Sequence, residues 1–136
     1  MGSYRTDIEV IRLKLSSWIA ISAVLIAAAT LPASASAHAF PIRSEPRVGW
    51  TVANSPTKVT IWFDGELEPA FSTIAVYNAA KQRMDKGNGR VDPSNGTILE
   101  VELPALSPGR YHVYWKVLSK DTHVTEGDFS FAVEKR

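Results

Sequence analysis

From residue 57 onward, apolar and polar residues alternate with a period of two in several short segments. This alternation is typical of antiparallel strands with one buried face and one solvated face. No segment shows a sustained helical stripe, so the pattern predicts an all-β fold. The alternating apolar positions are Val59, Ile61 and Phe63; Ile74 and Val76; Leu99, Val101 and Leu103; Tyr111, Val113, Trp115 and Val117; and Phe129, Phe131 and Val133.

Turn-forming residues separate these segments. They are rich in glycine, proline, asparagine and aspartate, and they occupy residues 54–56, 87–89, 92–96 and 107–109. About seven short strands in roughly 100 residues is the size of an immunoglobulin-like sandwich. The sequence therefore predicts one Greek-key β-sandwich or barrel, with no second domain.

The first 37 residues have a different character. An apolar stretch at residues 17–31 follows Arg12 and Lys14 and precedes the small residues 33–37. A basic flank, a short apolar core and an Ala-x-Ala pattern are typical of a secretory signal peptide. The stretch is shorter than the ~20 residues that span a bilayer, which argues against a permanent membrane anchor.

Two cleavage positions fit the Ala-x-Ala pattern. Cleavage after Ala35 would leave Ser36 first, and cleavage after Ala37 would leave His38 first. With cleavage at either position, the signal peptide predicts a location outside the cytoplasmic membrane, in the periplasm of a bacterium. The folded domain is then expected to comprise residues 38–136.

Charge and composition exclude several classes of function. The chain has 15 Lys and Arg against 14 Asp and Glu, and it has no basic stripe that could bind nucleic acid. Residues 1–37 contain three of the basic and two of the acidic residues, so the rest has 12 of each. Cysteine is absent, which excludes disulfides and thiolate metal sites. Hydrolase and phosphate-binding motifs are absent as well.

Candidate metal ligands come from the histidines. At a chain terminus, His38 would offer its α-amine and its ring to one ion, and an α-amine has a pKa of only about 7.7–8.0. Asp121 and His123 are two residues apart and project to the same side of an extended segment. Asp121 would either bind the same ion or orient the ring of His123. An amine, two imidazoles and a carboxylate, without sulfur, form a donor set that favours Cu(II).

The remaining histidine and the methionines do not predict a second metal site. His112 lies on the polar face of its predicted strand, and we interpret it as a solvent-facing residue. The methionines are Met1, which is removed with the signal peptide, and Met84. Since the soft Cu(I) ion prefers several sulfur ligands, the chain is not expected to form a thioether site.

Four motifs occur in a fixed order along residues 38–136. They are His38-Ala39-Phe40 with Ser44-x-Pro46; Pro56-x-x-Val59-x-Ile61-x-Phe63; Leu106-x-x-Gly109-x-Tyr111-x-Val113-x-Trp115; and Ser119-x-Asp121-x-His123 with Gly127-x-Phe129-x-Phe131. In this order and spacing the sequence resembles the CopC family of periplasmic copper-resistance proteins. It departs from that family at Val124, where the family usually has proline after the histidine.

The resemblance implies a cupredoxin-like Greek-key fold that holds one Cu(II) per chain. The implied ligands are His38, through its amine and ring, Asp121 and His123. The implied role is that of a non-enzymatic copper carrier or buffer in copper homeostasis or resistance. An inner-membrane CopD-type protein is the implied partner, and we expect the carrier itself to be a monomer.

Two alternatives belong to other classes of protein. A terminal histidine with a second histidine also forms the copper core of monooxygenases, but Asp121 would leave less room there for dioxygen. A structural or adhesion β-sandwich would bind no metal, and it would need His38 to be internal or trimmed. The first residue of the exported protein discriminates this second alternative from a copper-binding protein.

Overall fold

The computed structural model describes residues 38–134, in which eight strands and one short 3-10 helix alternate with turns. The elements are β1 (Pro41–Glu45), β2 (Thr51–Val52), β3 (Lys58–Phe63), the 3-10 helix (Pro69–Phe71), β4 (Thr73–Asn78), β5 (Arg90–Asp92), β6 (Asn95–Glu102), β7 (Gly109–Leu118) and β8 (Val124–Val133). The predicted all-β class is confirmed. The strands β1, β2 and β5 have only two to five residues and are too short to show a clear period.

The strands form two four-stranded sheets. The first has the order β1-β3-β6-β5 and the second has the order β2-β8-β7-β4. All neighbours are antiparallel except β2 and β8. The chain changes sheet after β1, β2, β3, β4 and β6, so only the β5–β6 and β7–β8 connections are hairpins within a sheet. This is the predicted Greek-key sandwich.

The core lies between the sheets and contains the apolar positions of the alternating segments. Because side chains in a strand alternate between the two faces, every second residue of β3, β6, β7 and β8 points inward. The largest fully buried apolar side chains are Val59, Ile61, Leu67, Val76, Leu99, Val101, Val113, Val117 and Phe131. Val133 and Leu103 are also buried at the ends of their segments.

Trp115 explains the glycine in the last sequence motif. Its indole ring meets Phe63 edge to face, with the ring centroids 5.3 Å apart. Gly127 is opposite Trp115 in the β7–β8 register, and a Cβ atom at Gly127 would lie 2.7 Å from Cζ2 of the indole. That contact is shorter than van der Waals distance, so the position requires glycine for the tryptophan to pack.

A long hairpin brings the predicted ligands of the last motif to one end of the sandwich. The strands β7 and β8 have ten residues each and pair from Gly109–Val133 to Leu118–Val124. Residues 119–123 close this hairpin. Within residues 38–134, no helix has the length and apolar character needed to cross a membrane. The predicted signal peptide, residues 1–37, lies outside the described residues.

Candidate metal centre

Residues 119–123 form a tight loop that is organised around Ser119. The side chain of Ser119 is fully buried, and its hydroxyl lies within hydrogen-bond distance of Asp121 Oδ1 and of the His123 carbonyl. The Ser119 backbone N–H donates to the His123 carbonyl at 2.9 Å, and the Thr122 N–H donates to the Ser119 carbonyl at 2.9 Å. Thr122 has a φ of 75°, a left-handed conformation that costs a β-branched residue about 1–3 kcal/mol.

Residues 66 and 67, which lie between β3 and the 3-10 helix, support this loop from one side. Leu67 forms an isolated bridge with Ser119, and the Lys120 N–H donates to the Glu66 carbonyl at 3.0 Å. The side chains of Lys120 and Glu66 also form an ion pair at 3.1 Å, and the hydrogen bond and charge of Glu66 raise the pKa of Lys120. Residues 66 and 67 therefore hold the loop on this side through backbone contacts and an ion pair.

Asp121 presents one carboxylate oxygen to the protein and the other to a histidine. Oδ1 interacts with the Ser119 hydroxyl and accepts the His123 backbone N–H at 3.2 Å. Oδ2 lies 3.2 Å from Nδ1 of His123. The Ser119 hydroxyl, helped by the His123 N–H, lowers the pKa of Asp121 although burial opposes this shift. Asp121 is therefore an ionised carboxylate at neutral pH.

His38 completes the cluster from the other end of the described chain. Its ring centroid is 4.1 Å from that of His123, with the planes tilted by 42°. One candidate ligand atom from each of His38, Asp121 and His123 lies within 4.8 Å of the other two. The structure thus brings together the three side chains that the sequence singled out. Whether they bind a metal stays a prediction.

The size of this cluster suits one small divalent ion. Metal–ligand bonds of about 2 Å at right angles put neighbouring donor atoms about 2.8 Å apart and opposite ones about 4 Å apart. The contact between Asp121 Oδ2 and His123 Nδ1, at 3.2 Å, is close to the first separation. The three candidate ligand atoms lie within 4.8 Å of one another. They would need to move closer by about 1 Å or less to reach the separation of opposite donors. Since the side chain of His123 is 54% exposed, it has room for this movement.

Two residues that hold the backbone of Ala39 and Phe40 were not identified from the sequence. The hydroxyl of Thr125 donates to the Ala39 carbonyl at 2.7 Å. Asp64 accepts the Phe40 N–H on Oδ1 at 2.6 Å and returns its own N–H to the Phe40 carbonyl at 3.0 Å. The sequence contains no signal for the Thr125 contact, because the two residues are 86 positions apart. In the sequence, Asp64 is one of three acidic residues within positions 64–68.

His112 lies far from the cluster, on β7. It pairs with Tyr77 and Ser130 across the sheet and is half-buried rather than fully solvent-facing. Ser119 is seven positions further along the chain, which corresponds to about 23 Å of extended strand. His112 therefore cannot reach the His38–Asp121–His123 cluster. Met84 packs against the core.

The comparisons with known proteins identify the family. A family profile described as the CopC domain matches residues 42–134, and the chain belongs to the CopC family. The match includes Asp121 and His123 and begins four residues after His38. Copper resistance protein C of Xanthomonas campestris pv. juglandis is 32% identical over 123 residues, which cover 85% of this chain and 95% of that protein.

Other relatives support the same family and fold. Copper transport protein CutJ of Bacillus subtilis is 29% identical over 119 residues, 87% of this chain, but the match spans only 21% of that protein. The crystal structure of CopC from Methylosinus trichosporium OB3b matches with a TM-score of 0.67 at 32% identity, covering 71% of this chain and 94% of that one. PcoC from Escherichia coli, described as a methionine-rich copper resistance protein, has a TM-score of 0.62 at 25% identity over 72% of this chain and all of that one.

Proposed function

We propose that this protein binds one Cu(II) ion as cargo and carries or buffers it outside the cytoplasmic membrane. The observation that supports the proposal is the convergence of His38, Asp121 and His123 within 4.8 Å. The residues come from two distant parts of a chain whose relatives are named as copper resistance and copper transport proteins. After signal cleavage, His38 would add its α-amine to this set.

The donor chemistry selects the metal and its oxidation state. Nitrogen and carboxylate oxygen donors without sulfur suit Cu(II), which is also the divalent ion of highest affinity in the first-row order. The chain has only two methionines, in contrast to the methionine-rich relative PcoC. We therefore propose a Cu(II) site and no Cu(I) site.

The ionised carboxylate beside the two histidines favours storage of the ion over catalysis. Asp121 directs Oδ2 towards the histidine ring at 3.2 Å, so a bound ion would have this oxygen as a neighbour. An equatorial carboxylate leaves less room for dioxygen, and we propose that the protein is not an enzyme.

The CutJ match, which covers 21% of a longer copper transport protein, supports a role beside another polypeptide. We propose an inner-membrane CopD-type protein as that partner, and a monomeric carrier.

A copper titration with matched histidine variants tests the proposal. The exported protein is purified, its first residue is determined by mass spectrometry, and Cu(II) binding is followed by competition with a chelator and by electron paramagnetic resonance. We expect one Cu(II) per chain with nitrogen couplings. Removal of supporting residues alone costs about 10–100-fold in metal affinity, so His38→Ala and His123→Ala should each cost about 100-fold or more.

His112→Ala is the matched control, because it removes an imidazole that lies on the same strand pair but far from the cluster. Its affinity should equal that of the wild type. An additional residue before His38 should weaken binding, since it converts the amine into an amide. Equal losses in all three histidine variants, or no tight binding by a protein that begins at His38, would contradict the proposal.

A further inference from the structure

The hydroxyl of Thr125 connects the two parts of the candidate site. It donates to the Ala39 carbonyl at 2.7 Å, and Ala39 is completely buried. Ala39 directly follows His38, and Thr125 comes two residues after His123 at the start of β8. One hydrogen bond therefore joins the backbone next to one histidine to the strand that begins beside the other.

Asp64 holds the same segment from the opposite sheet. Its carboxylate accepts the Phe40 N–H at 2.6 Å, and its backbone N–H donates to the Phe40 carbonyl at 3.0 Å. Asp64 directly follows β3, so the segment is attached to a core strand on this side and to β8 on the other. The contacts of Thr125 and Asp64 hold both polar groups of the Ala39–Phe40 peptide and the carbonyl of the next peptide.

A chain terminus needs such attachments if it is to serve as a ligand. The first residues of a chain are usually poorly ordered unless they are tied down. A flexible His38 would lose conformational entropy each time the ion bound, whereas a segment that is already ordered gains affinity through preorganisation. His38, whose ring centroid lies 4.1 Å from that of His123, directly precedes such an attached segment.

We propose that Thr125 and Asp64 are positioning residues, which fix the His38 amine and ring opposite Asp121 and His123 and so set the affinity and release rate of the ion. The inference rests on the proposed Cu(II) function. It assigns roles to a hydroxyl and a carboxylate that do not themselves bind the metal. Because Thr125 joins the segment after His38 to the strand that follows His123, its removal should affect the ion more than its effect on folding would suggest.

The test uses the exported protein and variants that remove only the hydrogen bond. Thr125→Val keeps the shape and loses the hydroxyl, while Thr125→Ser keeps the hydroxyl. We expect Thr125→Val to weaken Cu(II) about tenfold, chiefly through faster release, since supporting partners contribute about 10–100-fold. Thr125→Ser should remain within about threefold of the wild type, a value below that range.

A second pair of variants and a metal-free measurement keep the test independent. Asp64→Ala removes an exposed acceptor and should also weaken Cu(II) about tenfold, whereas Asp64→Asn retains an amide oxygen and should recover most of the affinity. In the metal-free protein, hydrogen exchange at the Phe40 amide should be faster in Thr125→Val and Asp64→Ala than in the wild type. Thr60→Val, a buried threonine of β3 in the other sheet, is the control and should change neither quantity.

The outcomes separate this inference from the proposed function. If the wild type binds no Cu(II), the proposed function fails, and unchanged Phe40 exchange in the variants would overturn the positioning role as well. If the wild type binds and Thr125→Val and Asp64→Ala match it in affinity and in Phe40 exchange, the positioning role alone is overturned. An equal loss of affinity in Thr60→Val would likewise overturn it, because a general effect of threonine removal would then explain the result.

Discussion

Two loops of the sandwich are each built around an aspartate whose pKa is lowered, but they differ in what the protein leaves for a ligand. Asp85 pairs with Arg83 at 3.0 Å, and its side chain is 0% exposed. It also accepts the Val76 N–H on Oδ2 and the Gly87 N–H on Oδ1, each at 2.8 Å. Burial opposes ionisation of Asp85, and these hydrogen bonds outweigh it to lower the pKa.

Asp121 has a different set of neighbours. The Ser119 hydroxyl and the His123 N–H act on Oδ1, while Oδ2 faces an imidazole. The side chain of Asp121 is 22% exposed and lies within reach of His38. The comparison teaches that a lowered carboxylate pKa does not by itself mark a functional site. What distinguishes Asp121 is an oxygen directed at the His123 ring, with His38 in the same cluster, instead of at backbone N–H groups and an arginine.

The strongest test of this difference is the loss of a single carboxylate oxygen from each loop. Asp121→Asn should weaken Cu(II) binding about 100-fold or more, at or above the upper end of the roughly 10–100-fold cost of losing a supporting partner. The expected reason is the replacement of an anionic ligand by a neutral amide. Cu(II) competition measures it, with Asp85→Asn as the matched control at wild-type affinity. Wild-type affinity in Asp121→Asn would show that the carboxylate does not bind the ion.

The reciprocal test measures folding instead of metal binding. Asp85→Asn should lower the free energy of unfolding by about 2–3 kcal/mol, because hydrogen bonds to charged groups contribute about 1.5–3 kcal/mol and Arg83 loses its partner. Asp121→Asn should cost less, since its carboxylate is partly solvated. Denaturant unfolding of the metal-free proteins at pH 7 gives both values. If the two variants lost equal stability, the two aspartates would not differ in structural importance.

The pH dependence of the free energy of unfolding should show a smaller effect of the same buried carboxylate, Asp85. The folded state lowers the pKa of Asp85 below its ordinary value of 3.8. The contribution of ionised Asp85 to the free energy of unfolding is therefore complete above the pKa that Asp85 has in the unfolded chain. It is lost as the pH falls through the lower pKa that Asp85 has in the folded protein. Between about pH 6 and pH 2, the wild type should lose more stability than Asp85→Asn. Parallel curves would show that Asp85 does not titrate differently on folding.

The comparison also shows which parts of the protein could be predicted from the sequence. The core strands could be predicted because period-two alternation is a local property, as at Val59, Ile61 and Phe63. The residue types of the candidate cluster could be predicted too, since a histidine after a predicted cleavage position and an Asp-x-His motif can be read from the sequence. The geometry confirms that these side chains meet, and metal binding by them stays a prediction.

The supporting contacts could not be predicted, because they join residues that are far apart in sequence. Thr125 and Ala39 are separated by 86 positions, and Phe40 and Asp64 by 24. Nothing in the residue types distinguishes Asp85, a buried structural carboxylate, from the exposed aspartates nearby. The positive φ of Thr122 could not be predicted either, since threonine rarely adopts that conformation.

Thr122 supplies the smallest expected effect in the comparison. The Asp85 loop places glycine at its left-handed position, Gly87 with a φ of 73°, whereas the Asp121 loop places a β-branched residue there. Thr122→Gly should relieve about 1–3 kcal/mol of strain and lose about 0.5–1 kcal/mol to the greater freedom of the unfolded chain. The net gain should be about 1 kcal/mol.

Gly87→Ala is the reciprocal variant, and thermal unfolding of the metal-free proteins compares the two. Gly87→Ala should destabilise the protein by about 1 kcal/mol. The added Cβ would have open space around it, so the left-handed backbone conformation alone opposes the change. A loss of stability in Thr122→Gly would show that the interactions of the threonine side chain outweigh the strain of its backbone. A gain would mean that the candidate metal loop, unlike the Asp85 loop, maintains an unfavourable conformation between its two predicted ligands.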